Sequence, residues 1–265
     1  MRVAARSMAA VAVGVACLLA VAGTVSAGGD YGRNTLCAAA ETGNTALVSD
    51  ILENGMSTCG GTNAAPAPCA IDDLDGHGIN ALQWSAMRGY GASVEVLLAK
   101  GAAVDVQAAS GATAAVFAAA EGQVDIVSAL LEAGAAVNFA GTKSARTMLH
   151  LASERGQAGI VSMLVIAGAA VDSVSDGGVT PLMLAASGGH AATITALAAA
   201  GAGVNTACLR SGMTALHYAA SSCQPGSVAA LLEAGASKTH VDFGGYTPLT
   251  LATHEGCTAV ADLLA

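Results

Sequence analysis

The hexapeptide LLEAGA occurs twice in this chain, at Leu130–Ala135 and again at Leu231–Ala236. Around the two copies, further glycines follow Leu- or Ala-rich segments and precede an alanine in the same way. The five glycines are separated by 33, 34, 33 and 34 residues: Gly101, Gly134, Gly168, Gly201 and Gly235. A period of this length predicts a tandem array of helical repeats.

A second feature with the same period lies ahead of each glycine. It begins with a residue that caps helices well, at spacings of 33, 34, 33, 34 and 33: Asn80, Thr113, Thr147, Thr180, Thr214 and Thr247. Apolar residues follow at helical spacing, as in TMLHLASERGQ and TPLMLAASGGH. Pro181 and Pro248 suit the first turn of a helix, and the later glycine suits its end.

These segments resemble the ankyrin repeat, whose pattern is a glycine turn, T-P-L-H-x-A-A, a loop glycine, a second helix and G-A. The resemblance covers about residues 34–265 and implies an all-α fold, an α-solenoid of about seven repeats with β-hairpin loops between them. The repeats are expected at residues 34–58, 77–107, 110–140, 144–174, 177–207, 211–240 and 244–265. A Gly/Pro/Ala-rich insertion loop, residues 59–75, interrupts the period.

The first residues have the pattern of a cleavable signal peptide, predicted to span residues 1–27. Two arginines precede an apolar segment at 8–23, and small residues follow at 25–27. A retained membrane anchor is the alternative. A short N-terminal segment, 28–33, would then lead into the array, and no later segment has the length of a membrane span. We therefore expect an exported protein, periplasmic or secreted.

The charge balance is acidic. The chain has 10 Lys and Arg against 19 Asp and Glu, a net charge of −9. Loss of the two leader arginines would make it −11. Scattered basic residues in an acidic chain form no stripe for phosphates, so nucleic acid is not an expected partner. The charge favours a protein partner with a basic or mixed surface.

Six cysteines remain after the predicted leader, and an even number in an exported protein favours disulfides. Cys59 and Cys69 bracket the insertion and are predicted to close it as a disulfide. The alternative is a linker in which these cysteines pair elsewhere, for example with Cys37.

Near the C-terminus, Cys223 and Cys257 lie at the same edge of neighbouring predicted repeats. A disulfide between them is the first hypothesis; a metal site that includes His190 or His254 and separate fates are the alternatives. Cys208 lies at the other end of its repeat and is a candidate free or intermolecular thiol.

No catalytic set is visible. The chain has no G-x-S-x-G, P-loop or dinucleotide motif, so we predict no catalytic residue, no cofactor and no bound metal. The ankyrin resemblance implies that His150 and His217 are structural, because both occupy the H position of T-P-L-H.

The resemblance implies instead a concave binding face made of hairpins and the exposed ends of first helices. The candidate partner-binding residues are Ile79, Met87, Arg88, Glu121, Arg146, Arg155, Arg210, Met213, Phe243 and Tyr246. Leu209 joins them, although such apolar residues can also pack hairpin on hairpin. The sequence therefore predicts a non-enzymatic protein-binding scaffold, monomeric apart from its partner. The alternatives are a metal- or redox-responsive envelope protein and a secreted effector that binds a host protein.

Overall fold

The computed structural model describes residues 35–54, 58–59, 67–68, 70–141 and 144–265, and in these ranges the chain forms seven helix–turn–helix pairs. The first helices are α1 (Thr35–Glu41), α3 (Ala81–Arg88), α5 (Ala114–Glu121), α7 (Met148–Glu154), α9 (Pro181–Gly188), α11 (Ala215–Ser221) and α13 (Pro248–His254). The second helices are α2 (Thr45–Asn54), α4 (Gly91–Ala99), α6 (Val124–Glu132), α8 (Ala158–Ile166), α10 (Ala191–Ala199), α12 (Pro225–Glu233) and α14 (Thr258–Leu264). We number the repeats one to seven by these pairs.

The pairs stack into a solenoid. Each first helix packs against the first helices of the repeats before and after it, and each second helix against the neighbouring second helices. Every first helix has at least one fully buried alanine: Ala40, Ala86, Ala119, Ala152, Ala185, Ala219 and Ala252. A methyl side chain lets two helices approach closely, so the Ala-rich composition is what this stacking requires. The predicted α-solenoid is confirmed.

All six predicted capping residues are the N-cap residues of first helices, and three of them cap with the side chain. Asn80, Thr180 and Thr247 each accept a hydrogen bond from a backbone N–H in the first turn of the following helix. Pro181 and Pro248 are the first residues of their helices. Each first helix therefore begins where the sequence predicts it.

A ladder of Asp and Asn side chains joins the repeats on the side of the second helices, and the sequence analysis missed it. Each side chain accepts a hydrogen bond from a backbone N–H about 32 residues further on, at 2.7–3.1 Å. The side chains are Asp72, Asp105, Asn138, Asp172 and Asn205. Their period of 33 or 34 residues was visible in the sequence.

The insertion is described only in part. Strand β1 (Thr58–Cys59) pairs antiparallel with β2 (Ala67–Pro68), so the backbone of the insertion folds back on itself. The predicted signal peptide 1–27, the segment 28–33 and Cys69 lie outside the described residues. The predicted Cys59–Cys69 disulfide therefore stays a prediction. In the described part of the chain, no helix is both long and apolar enough to cross a membrane.

Candidate functional site

Short hairpins connect the repeats and hold a row of side chains at one edge of the array. In the last of them, the Asp242 N–H donates to the Tyr246 carbonyl (2.9 Å), and the Asp242 carboxylate accepts from the Tyr246 N–H (2.8 Å). In the hairpin before it, the Cys208 N–H donates to the Met213 carbonyl (2.8 Å). The backbone at these tips is therefore fixed by hydrogen bonds.

The last two hairpins expose large apolar side chains. Leu209 is 73% exposed, Phe243 74% and Tyr246 47%, and the exposed Arg210 lies next to Leu209. We call these four residues the hairpin-tip surface. Large exposed apolar side chains thus lie on two successive tips, and contiguous exposed apolar surface is a feature that marks interaction sites.

The hairpins also support one another. The Phe243 N–H donates to the Ser211 carbonyl of the preceding hairpin (2.9 Å). Leu209 lies over Gly178 and Phe243 lies over Gly212, where a Cβ atom would be less than 3.0 Å from the covering residue. Hairpin-on-hairpin packing therefore occurs, as the alternative for Leu209 proposed, yet it leaves most of both side chains open to solvent.

Three predicted partner-binding residues are buried, which corrects their assignment to an open face. Ile79 is 3% and Met87 8% exposed, because both side chains pack into the core between repeats. Arg146 is also 8% exposed, and its guanidinium forms two hydrogen bonds with the Glu154 carboxylate, each 3.0 Å. Glu154 lies eight residues further on, at the end of the following helix, so the sequence alone gave no signal for this pair.

The other predicted partner-binding residues are at least partly exposed to solvent. Glu121 and Arg155 are exposed, and Met213 is half-buried. Arg88 is exposed and lies over the ring of the buried Trp84, 5.6 Å from its centroid, with Glu41 at 3.6 Å. Arg88, Glu121 and Arg155 lie at the ends of the first helices of three successive repeats, and Met213 lies in a hairpin. Among the candidate residues, the large exposed apolar side chains are those of Leu209, Phe243 and Tyr246.

His150 and His217 are structural in the same way. Nδ1 of each ring accepts from the backbone N–H of the capping threonine three residues earlier (3.2 Å), and Nε2 lies 3.1 Å from a hairpin carbonyl of the next repeat. Burial, opposed by the bond to that carbonyl, lowers the pKa of His150 from 6.5 to about 4 and also lowers the pKa of His217. Neutral rings suit this arrangement, because Nδ1 must accept a hydrogen bond while the protonated Nε2 donates one.

Among the described cysteines, Cys223 and Cys257 lie side by side, with their Cα atoms 5.3 Å apart. Cys208 is a free thiol but is only 3% exposed, so its predicted availability for an intermolecular bond is wrong. Its sulfur donates to the Gly177 carbonyl (3.4 Å). Burial raises the pKa of Cys208, but hydrogen bonds from Ser211, the Arg210 backbone and Tyr218 outweigh burial and leave it below its usual value.

The alternative metal site was tested on the part of the chain that the structure describes. There, no three His, Cys, Asp or Glu side chains come together in a group that could hold a metal ion. His190 instead lies with Nε2 2.9 Å from the Glu154 carbonyl, and His254 lies beside Glu255. These two histidines and the cysteine pair therefore do not form one cluster.

Comparisons with known proteins agree with this geometry. The family model described as ankyrin repeats (3 copies) matches residues 82–174 and 149–242, together more than half of the chain. This chain therefore belongs to the ankyrin repeat family. No curated protein matches it in sequence at a significant level.

Among solved structures, the crystal structure of the human ASB11 ankyrin repeat domain is similar, with a TM-score of 0.71. The two sequences are 23% identical, and the match covers 88% of this chain and 96% of that chain. At this identity the likeness shows the fold alone. Ankyrin repeats are typically protein–protein interaction scaffolds, and the fold does not name a partner.

Proposed function

We propose that this chain is a non-enzymatic scaffold that binds a protein partner through the hairpin-tip surface. The observation that carries the proposal is the exposure of Leu209, Phe243 and Tyr246 on two successive hairpins with fixed backbones. Exposed aromatic side chains on a rigid backbone lose little conformational entropy on binding, and Tyr and Arg are frequent binding hot spots.

The other hairpins show why this surface stands out. At the position equivalent to Leu209 and Phe243, the third and fifth repeats carry Ala109 and Asp176, which are exposed but small or charged. Exposure of these two side chains to water is not unfavourable, so they give no reason to expect a partner at those hairpins. Leu209 and Phe243, at the same position in the last two hairpins, are by contrast large and apolar, as expected of residues that insert into a partner.

The expected partner has a basic or mixed surface and an apolar recess. The chain carries a net charge of −9, and Asp242 lies in the same hairpin as Phe243 and Tyr246. Arg210 adds one cation at the edge of the patch, so an acidic group on the partner could face it. The array is proposed to be monomeric apart from this partner.

The compartment is also part of the proposal. The leader pattern of residues 1–27 and the close approach of Cys223 and Cys257 both support export to an oxidising compartment, periplasmic or extracellular. A secreted effector that binds a host protein would use the same surface. Finding the partner in the producing cell or in a host would separate the two readings.

Site-specific photocrosslinking tests the surface directly. A photoreactive phenylalanine analogue replaces Phe243, and in a matched control it replaces Ile166, which is 87% exposed on the second helix of the fourth repeat. After irradiation in the native exported fraction, we expect one discrete crosslinked species from position 243 and none from position 166. Adding the substitutions Arg210→Ala and Tyr246→Ala should remove that species while leaving the circular dichroism spectrum unchanged.

The opposite pattern would reject the proposal. If position 166 gives the same species, the contact is not specific for the hairpin-tip surface. If position 243 gives no species while the chain is folded and exported, the hairpin tips are not the binding site.

A further inference from the structure

The loops inside the helix pairs share one packing arrangement. In repeats one to five, a glycine in the loop lies against a side chain of the next repeat, namely the one directly after the position that corresponds to the loop glycine. A Cβ atom on that glycine would be less than 3.0 Å from the neighbouring side chain. The pairs are Gly43 with Tyr90, Gly89 with Gln123, Gly122 with Gln157, Gly156 with His190 and Gly189 with Gln224.

Two of these long side chains, His190 and Gln157, also form hydrogen bonds with the preceding repeat. His190 Nε2 lies 2.9 Å from the Glu154 carbonyl. With its amide turned to satisfy both neighbours, Gln157 donates to the Ala119 carbonyl (2.6 Å) and accepts from the Gly122 N–H (3.0 Å). The ordinary contact between loops is therefore a glycine that leaves space and a polar side chain that fills it.

The contact between the sixth and seventh repeats breaks this rule on both sides. Cys223 replaces the loop glycine, and Cys257 replaces the long polar side chain. Cys223 still has the left-handed backbone of the glycines, with φ of 55°, which is costly for a residue with a side chain. A cysteine at position 257 is too short to make the carbonyl bond that His190 makes.

We propose that Cys223 and Cys257 form a disulfide that takes over this contact and holds the seventh repeat on the array. Their Cα separation of 5.3 Å lies within the range of about 4.4–6.8 Å that disulfides adopt. The bond offsets the strained backbone of Cys223 and replaces the missing hydrogen bond with a covalent one. The proposal does not depend on the partner-binding function.

Formation of this disulfide requires an oxidant, and the exposure of the two cysteines suggests which of them reacts first. Cys223 is exposed, whereas Cys257 is only 7% exposed. The Cys223 thiolate attacks the disulfide of a thiol–disulfide oxidoreductase, and one sulfur of that disulfide leaves as a thiol. The Cys257 thiolate then attacks the Cys223 sulfur and releases the second oxidoreductase thiol. Two cysteine thiols are thereby oxidised, and one acceptor disulfide is reduced to two thiols.

Hydrogen exchange with and without a reductant tests this disulfide. The full mature chain is labelled in its oxidised form and after reduction with a phosphine, and amide exchange is followed in residues 248–264. We expect reduction to accelerate exchange there by about tenfold or more, because the seventh repeat packs against the sixth and the disulfide would hold that contact together. Exchange in α3 to α6 should not change.

The chain itself provides the matched control. The double substitution Cys223→Gly and Cys257→Gln recreates the contact that Gly189 and Gln224 make one repeat earlier. This variant should protect residues 248–264 equally with and without reductant. A second variant, with Cys223→Ser and Cys257→Ser, keeps the strained backbone without the bond and should exchange like the reduced wild type.

Mass spectrometry of the oxidised protein tests whether the disulfide exists. Peptide mapping under non-reducing conditions should recover a peptide pair joined through Cys223 and Cys257, while Cys37 and Cys208 are labelled as free thiols after denaturation. Recovery of Cys223 and Cys257 as free thiols from exported protein would overturn the proposal. Equal exchange of the wild type with and without reductant would show that the disulfide does not hold the seventh repeat on the array.

Discussion

The fourth and sixth repeats have the same motif and the same hydrogen bonds, yet they differ at two positions that decide how each is stabilised. Both begin with T-x-L-H, and both histidines bond the capping threonine and the next hairpin at matching distances. Each repeat also has one residue other than glycine in the left-handed region. It is Ala145 in the hairpin of the fourth repeat and Cys223 in the loop of the sixth.

The electrostatic surroundings of the two histidines differ as well. Arg146 lies near His150 and opposes its protonation, whereas Asp242 lies near His217 and favours it. The hydrogen bonds are made by residues of the motif and are the same in both repeats. The nearby charges come from residues outside the motif and differ between the repeats. A repeat sequence therefore sets the scaffold, while the residues around it set the local energetics.

Removal of the shared histidine should have the largest effect. His150→Ala leaves the Thr147 N–H and the Val179 carbonyl without their partner in a fully buried position and opens a cavity, so we expect a loss of about 4 kcal/mol in the free energy of unfolding. Urea unfolding followed by circular dichroism measures it.

The second repeat provides the control for this substitution. There Gln83 occupies the histidine position, accepts from the Asn80 N–H (2.9 Å) and donates to the Val106 carbonyl (2.7 Å). His150→Gln should therefore retain most of the stability that His150→Ala loses. Equal losses would mean that ring packing, rather than hydrogen bonding, makes this position important.

The sequence predicted most of the features that repeat, with the Asp and Asn ladder as the exception, and missed those that depend on one neighbour. The 33- or 34-residue period, the capping threonines and the apolar faces are encoded locally, so the solenoid followed from them. The burial of Ile79 and Arg146 could not be predicted, because the residue before the cap faces either solvent or core according to what packs on it. The Glu154 partner of Arg146 is identifiable only once helix α7 fixes the distance between them.

The same distinction applies to the candidate site. Phe243 and Tyr246 were predicted as partner-binding residues, and both are exposed. The left-handed backbone of Cys223 was not predicted, although its alignment with the loop glycines was visible. A residue that replaces an aligned glycine should be examined for a compensating contact.

Acid should reveal the difference between the two histidines. In the folded protein the pKa of His150 is about 4, but in the unfolded chain it returns to about 6.5. Between these values the unfolded chain binds the proton and the folded protein does not, so stability is complete above pH 6.5 and declines as the pH falls towards 4. At a pH of about 4.5 the contribution of His150 to this loss should be on the order of 2 kcal/mol.

Comparison of two glutamine variants isolates this effect. The stability lost between neutral and acidic pH should be smaller in His150→Gln than in the wild type, and His217→Gln should reduce the loss by less, because Asp242 favours protonation of His217. Urea unfolding of the wild type and of both variants at the two pH values provides the stability that each protein loses in acid. A pH profile that neither substitution changes would show that other groups, such as the carboxylates, govern the acid response.

The smallest effect concerns the two left-handed positions themselves. Ala145 occupies the hairpin position where the sixth repeat has Gly212, and its φ of 51° is unfavourable for a residue with a Cβ atom. No covalent link compensates at Ala145 as the proposed disulfide does at Cys223. Ala145→Gly relieves the strain but adds conformational entropy to the unfolded chain, so we expect a net gain of only about 0.5 kcal/mol.

The reverse substitution in the sixth repeat should be unfavourable. A Cβ atom at Gly212 would lie 2.6 Å from Cδ1 and 2.9 Å from the backbone N of Phe243, so Gly212→Ala adds a steric conflict to the backbone strain. We expect it to cost about 1 kcal/mol or more in thermal or urea unfolding. If Ala145→Gly instead destabilised the protein, the Ala145 methyl group would contribute packing that outweighs its backbone strain. The two left-handed positions would then both be compensated, one by a methyl contact and the other by a covalent bond.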